Sequence, residues 1–139
     1  MNTLTNKLML AVVAMTIPCL PFTSATAQEL SLEERGRAYF SACRSCHSVG
    51  PGEPHRTGPN LFGVFGARAA TGRGYPYSQA LRAAGLVWSE AALDAWIADP
   101  ASYVPGNRMA YAGLRDTERR RAIVAFLRSV SPPPQPSPR

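Results

Sequence analysis

The chain has 139 residues, 45% of them apolar, with 15 basic against 9 acidic side chains and a formal net charge of +6. That length serves one domain and leaves too little for two comfortable cores, while the basic balance points to acidic partners. Nucleic acid is a poor candidate for such a partner, because no DNA-binding motif is present and the amino terminus reads as an export signal.

Residues 1–27 combine Lys7, an apolar run over 8–17 and a small-residue exit at Ala25, Thr26 and Ala27. This pattern predicts a cleaved secretory signal, a mature chain beginning near Gln28 and a periplasmic protein. The apolar run is about ten residues, well short of the roughly 20 needed to cross a bilayer. Pro18 is unlike the Gly or Ala that usually precedes a lipidated cysteine, so Cys19 is expected to leave with the signal. The mature chain then keeps two cysteines, Cys43 and Cys46, and one domain over 28–131.

Ser31 and Glu34 form a capping-box pattern, after which Leu32, Gly36, Tyr39, Phe40 and Cys43 recur on one helical face. This first helix runs into C-R-S-C-H at 43–47. Two thiols one helical turn apart beside an imidazole are the attachment pattern for c-type haem. Cys43 and Cys46 would each form a thioether, and His47 would be the proximal iron ligand. A disulfide or a redox-active pair is the main chemical rival, and a zinc site would need His55 as a fourth ligand beside Cys43, Cys46 and His47. Against the redox pair stand the adjacent His47 and the lack of a strand-helix-strand pattern. Zinc leaves the downstream Met motif without a role.

Some thirty residues rich in Gly and Pro follow His47 without periodicity, a length that suits a small domain only where the loop wraps a ligand. Residues 78–84, ended by Gly85, read as a short helix, and Ser89 caps another over 90–98 that stops at Asp99 and Pro100. Thr117 is expected to cap the last helix, where Ile123, Phe126, Leu127 and Val130 form an apolar stripe. The first helix is its natural partner, and Gly36 would permit a close crossing. The run Arg119, Arg120, Arg121 reads as a solvated helix face. Residues 132–139, five of them proline, predict a disordered, partly polyproline tail.

A sixth iron ligand follows by elimination. Met1, Met9 and Met15 lie in the signal, so Met109 is the sole thioether of the mature chain, and its Pro105 and Gly106 suit a loop that presents a side chain. A lone Met is usually core filler, but beside a haem motif ligation becomes the better reading. His55 is the rival, giving a bis-histidine site, although loop histidines more often bond nearby backbone.

These residues carry a family resemblance. From 31 to 131 the chain resembles class I cytochromes c, in particular the bacterial cytochrome c2 and c550 type close to mitochondrial cytochrome c. The matching segments are C-R-S-C-H at 43–47, T-G-P-N-L-F-G-V-F-G at 57–66, G-Y-P-Y-S at 74–78, Trp88, and V-P-G-N-R-M-A-Y-A-G-L at 104–114. The resemblance implies an all-α fold of short helices and long loops wrapped around one covalent haem c. It implies that Pro59 offers its carbonyl to His47, that Tyr77 and Trp88 hydrogen-bond a buried haem propionate, and that His55 bridges loops. Where mitochondrial relatives have an Asn and a Tyr near the sixth ligand, this chain places Leu81 and Trp96, and only the indole retains a donor.

The function so implied is single-electron transport in the periplasm, as in a respiratory chain, with both axial positions filled by His47 and Met109 and no substrate chemistry. Partners would be acidic-surfaced redox proteins such as a cytochrome bc1-type complex, an oxidase, a reaction centre or a dehydrogenase, met by a monomer in small, short-lived complexes. Arg44, Arg56, Arg108 and Arg115 would surround the exposed haem edge and steer those encounters. A carrier dedicated to one dehydrogenase, with the Pro-rich tail as tether, is a second possibility, and a haem enzyme or gas sensor with a labile Met a third. The mature chain holds 14 arginines, the 15 basic residues less Lys7, and no lysine able to replace Met109 at high pH.

Overall fold

The computed structural model describes residues 29–132, so the expected signal over 1–27 and the tail from 133 onward lie outside the described residues. Helix α1 (Leu32–Tyr39) starts where the sequence predicts. The Ser31 hydroxyl accepts from Glu34 N–H at 3.2 Å, and the Glu34 carboxylate accepts from Ser31 N–H at 2.8 Å. Glu33 and Glu34 also complement the positive end of the helix dipole. The chain then tightens into a 3-10 helix, Phe40–Ser45, rather than continuing as α-helix into the cysteine motif. Tyr39, expected on the apolar face, is 38% exposed, because Gly36 and Phe40 define the buried stripe and Tyr39 is turned about 100° away from Phe40.

Four further helices follow. They are α2 (Gln79–Ala83), α3 (Glu90–Ala98), α4 (Pro100–Tyr103) and α5 (Thr117–Ser129). Ser78 and Ser89 cap α2 and α3, as their side chains accept from Leu81 N–H and Ala92 N–H. Pro100 ends α3 yet begins α4, where its missing N–H costs nothing and Asp99 caps the turn. The cap of α5 is Asp116, not Thr117. Its carboxylate accepts from Arg119 N–H at 3.0 Å and adds a full negative charge at the dipole's positive end, which a hydroxyl cannot.

Helices α1 and α5 make the main contact of the fold. Gly36 sits at their crossing. A Cβ there would lie 1.9 Å from the Ala122 carbonyl oxygen, so only glycine lets the backbones approach this closely. Phe40 and Phe126, 1% and 0% exposed, pack with ring centroids 5.1 Å apart and anchor a core shared with Ile123, Val124 and Leu127. The long segment after His47 has no regular structure, yet it is pinned. Gly66 N–H donates to Trp88 O, Trp88 N–H donates to Ala67 O, and Arg68 and Val87 form an isolated antiparallel bridge. The all-α expectation therefore holds for the described residues, with no helix among them long and apolar enough to cross a membrane.

Candidate functional site

The helices and the long loop enclose a largely apolar cavity of about 320 Å³, within the range of ligand pockets. Its wall brings together Cys43, Cys46, His47, Pro59, Tyr77, Trp88 and Met109, which are far apart in sequence. Arg108 also reaches this wall, whereas Arg44 and Arg56 line a second hollow that touches His47, and Arg115 lines neither. Leu81 and Trp96 both face the first cavity.

The 3-10 turn sets the cysteines. His47 N–H and Cys46 N–H both donate to Cys43 O, which folds the motif onto itself and turns both side chains toward the cavity wall. The two thiols are not joined to each other, and burial beside Cys46 pushes the Cys43 thiol pKa up, so it stays protonated. The disulfide alternative is thus absent from this arrangement.

His47 is oriented from behind. Its Nδ1 lies 2.8 Å from Pro59 O, and since a carbonyl only accepts, Nδ1 carries the proton and Nε2 keeps its lone pair. Burial lowers the His47 pKa despite that bond, which favours the neutral ring that metals bind. Gly58 makes the arrangement possible, because a Cβ there would sit 2.3 Å from His47 Cε1. Gly58 N–H in turn donates to Cys46 O at 2.7 Å, which ties the loop to the motif. His55 has both nitrogens engaged, Nε2 with Arg73 O and Nδ1 with Asn60 N–H, and is not among the cavity's lining residues. It bridges loops.

Met109 is held by a segment without regular structure whose ends are fixed. Upstream, the Asn107 side chain bonds Pro100 O, Val104 O and Met109 N–H. Downstream, Leu114 N–H donates to Ile97 O, and Gly113 passes so close to α3 that a Cβ would lie 2.1 Å from Ala98 O. Arg120 closes that end. Its side chain, 11% exposed, pairs with Asp94 at 2.8 Å and donates to the carbonyls of Leu114 and Arg115. The reading of Arg120 as a solvated charge is therefore corrected: Arg120 lies three and four residues before the buried Ile123 and Val124 and so shares their face of α5, while Arg119 and Arg121 stay exposed.

The donor set can be tested for fit. Among the described residues neither the Trp88 nor the Trp96 indole N–H meets a protein acceptor, yet no buried side-chain nitrogen or oxygen lacks a partner. Both indole nitrogens therefore keep accessible surface, on side chains that line the cavity, and are available as donors to a group that fills it. Two neighbouring thiols, a neutral imidazole with a free Nε2, a thioether and two indole donors around an apolar space match a flat, iron-bearing ring with polar substituents.

The sequence matches the cytochrome c family model over residues 33–131. The chain belongs to the cytochrome c family. A cytochrome c of Chlamydomonas reinhardtii is 37% identical over 111 residues, covering 79% of this chain and 96% of the relative. A cytochrome c2 iso-2 of Magnetospirillum fulvum is 40% identical, covering 66% and 94%. Among solved structures, cytochrome cH from Methylobacterium extorquens superposes with a TM-score of 0.66 at 39% identity, covering 70% of this chain and 97% of that one. This cytochrome c has the class I fold and binds one haem c covalently through Cys43 and Cys46. It is an electron carrier and not an enzyme.

Sequence reasoning missed Asn107, Gly58 and the Arg120–Asp94 pair. An Asn two residues before the candidate ligand was the available signal for the first, because Asx side chains commonly bond the backbone two residues on.

Proposed function

We propose that this cytochrome c is a periplasmic carrier, exported by a cleaved signal over 1–27, whose haem iron is held by His47 and Met109. The observation that carries the ligand reading is the cavity wall itself, which includes His47, with Nε2 free, and the single thioether of the described chain. When bound, haem c supplies a one-electron iron couple at an apolar site. Pro59 fixes the His47 ring, and Tyr77 and Trp88 offer donors to a propionate. Met109 would supply the iron's second protein ligand, so that no iron position would be left open to oxygen or peroxide.

The docking reading rests on charge. Arg44, Arg56, Arg108 and Arg115 are exposed and make no ion pair among the described residues, whereas the arginines of the five ion pairs all sit on α1 or α5. Of the arginines on α1 and α5 only Arg35 is likewise without an ion pair, so most of the unpaired positive charge lies off these two helices and attracts acidic redox partners: a bc1-type complex, an oxidase, a reaction centre or a dehydrogenase. The protein acts as a monomer. The ligand assignment is tested on the oxidised holoprotein at neutral pH, where a sulfur-to-iron charge-transfer band at the red edge of the visible spectrum is expected. Its absence overturns Met109 as ligand.

A further inference from the structure

The segment that presents Met109 has neither helix nor strand, and most of its neighbours are exposed, so something other than its own hydrogen bonding must hold it. On the side that precedes Met109, one side chain does this. Asn107 Nδ2 donates to Pro100 O at 2.7 Å and to Val104 O at 2.9 Å, while Oδ1 accepts from Met109 N–H at 2.8 Å. Its own N–H donates to Val104 O at 3.1 Å. A single planar amide thus joins both ends of α4 to the peptide of Met109. Because the amide is rigid, the three backbone groups are fixed relative to one another, and Asn107 is half-buried, so water replaces those bonds poorly.

We propose that Asn107 is the positioning residue of the sixth-ligand loop, holding the Met109 backbone in place so that the thioether is not readily displaced from the iron. This rests on the reading of Met109 as ligand. Any external ligand must first displace the Met109 side chain, so its apparent affinity scales with the fraction of molecules whose loop is open. Cutting the amide's bonds raises that fraction. The arrangement is local and separate from the α1–α5 core, which predicts that loop opening and global stability can be altered independently.

The test uses ferric holoprotein and imidazole as the probe. Asn107→Ala is expected to bind imidazole about 10- to 100-fold more tightly than the unaltered protein, the effect of losing three hydrogen bonds from the closed loop alone. Asn107→Asp keeps an acceptor for Met109 N–H but sets a carboxylate oxygen against the Pro100 and Val104 carbonyls, and should show a gain in the same direction. Val124→Ala, which removes core packing outside the cavity wall, lowers the unfolding midpoint without a comparable gain in imidazole affinity. Unchanged affinity in Asn107→Ala, or an equal rise in Val124→Ala, overturns the proposal. Should Asn107→Ala fail to retain haem, unchanged affinity in Asn107→Asp overturns it instead. The charge-transfer band of the unaltered protein separates the two readings: without it Met109 is not the ligand, and with it a flat imidazole response rejects the role of Asn107 only.

Discussion

Glu53 is exposed, yet its carboxylate is bound to the main chain, accepting from Val49 N–H at 3.1 Å and Gly50 N–H at 2.9 Å. These bonds hold its pKa below the usual carboxylate range. The folded protein therefore keeps Glu53 ionised to lower pH than the unfolded chain does. Its stabilisation is present above the ordinary Glu value, about pH 4.3, and is lost as pH falls through the depressed folded value. Glu53→Gln should flatten the decline of stability in that window, as measured by denaturant unfolding at a series of acid pH values. Profiles that run parallel to those of the unaltered protein would show that Glu53 plays no part. The consequence reaches the haem site, because Gly50 O and Glu53 O both accept from the Asn60 amide, next to the Pro59 that orients His47. At this scale the sequence was most readable where chemistry is tied to residue type. Cys43, Cys46, His47 and Met109 declare themselves by scarcity and spacing. Asn107 and Arg120 do not, because their work is hydrogen bonding to carbonyls, and neither residue type nor charge marks that role.

At the scale of elements, the α1–α5 crossing is the least tolerant point of the fold. Gly36→Ala would drive a Cβ to 1.9 Å from Ala122 O and 2.9 Å from Phe126 Cβ, so the helices must separate. A destabilisation of about 1–3 kcal/mol or more is expected, larger than the roughly 1 kcal/mol that alanine would otherwise return through helix propensity. Thermal unfolding measures it, and a variant as stable as the parent would mean that the crossing relaxes freely. The sequence supplied this contact through two signals that agree, a mid-helix glycine and an i, i+3, i+4, i+7 stripe. Helix starts were legible where a serine stood alone, at Ser31, Ser78 and Ser89. They were ambiguous where two cap-competent residues adjoin, at Asp116 and Thr117. Helix α4 escaped notice because Pro100 was read as a stop, although the same ring that ends one helix suits the first position of the next.

At the scale of the molecule, the proposed docking face rests on charge. The ion-paired arginines lie on α1 and α5, so reversing an unpaired one at the cavity wall alters the attractive field without removing a structural contact. Arg108→Glu should slow electron transfer to an acidic partner by about 10-fold at low ionic strength, with the difference closing as salt screens the charges. Rates that remain equal at all salt concentrations would remove Arg108 from the docking face.

The partnership of α1 and α5 also sets the order of events in making the protein. The first helix of the described residues, Leu32–Tyr39, buries its apolar face chiefly against the last, Thr117–Ser129. Until the final turns of α5 are synthesised, Phe40 has no aromatic partner and Gly36 no backbone to meet. A chain arranged in this way gains little from folding piecemeal during synthesis and closes late, in one step that joins its two ends. The core that Phe40 and Phe126 anchor therefore needs both ends of the described chain at once.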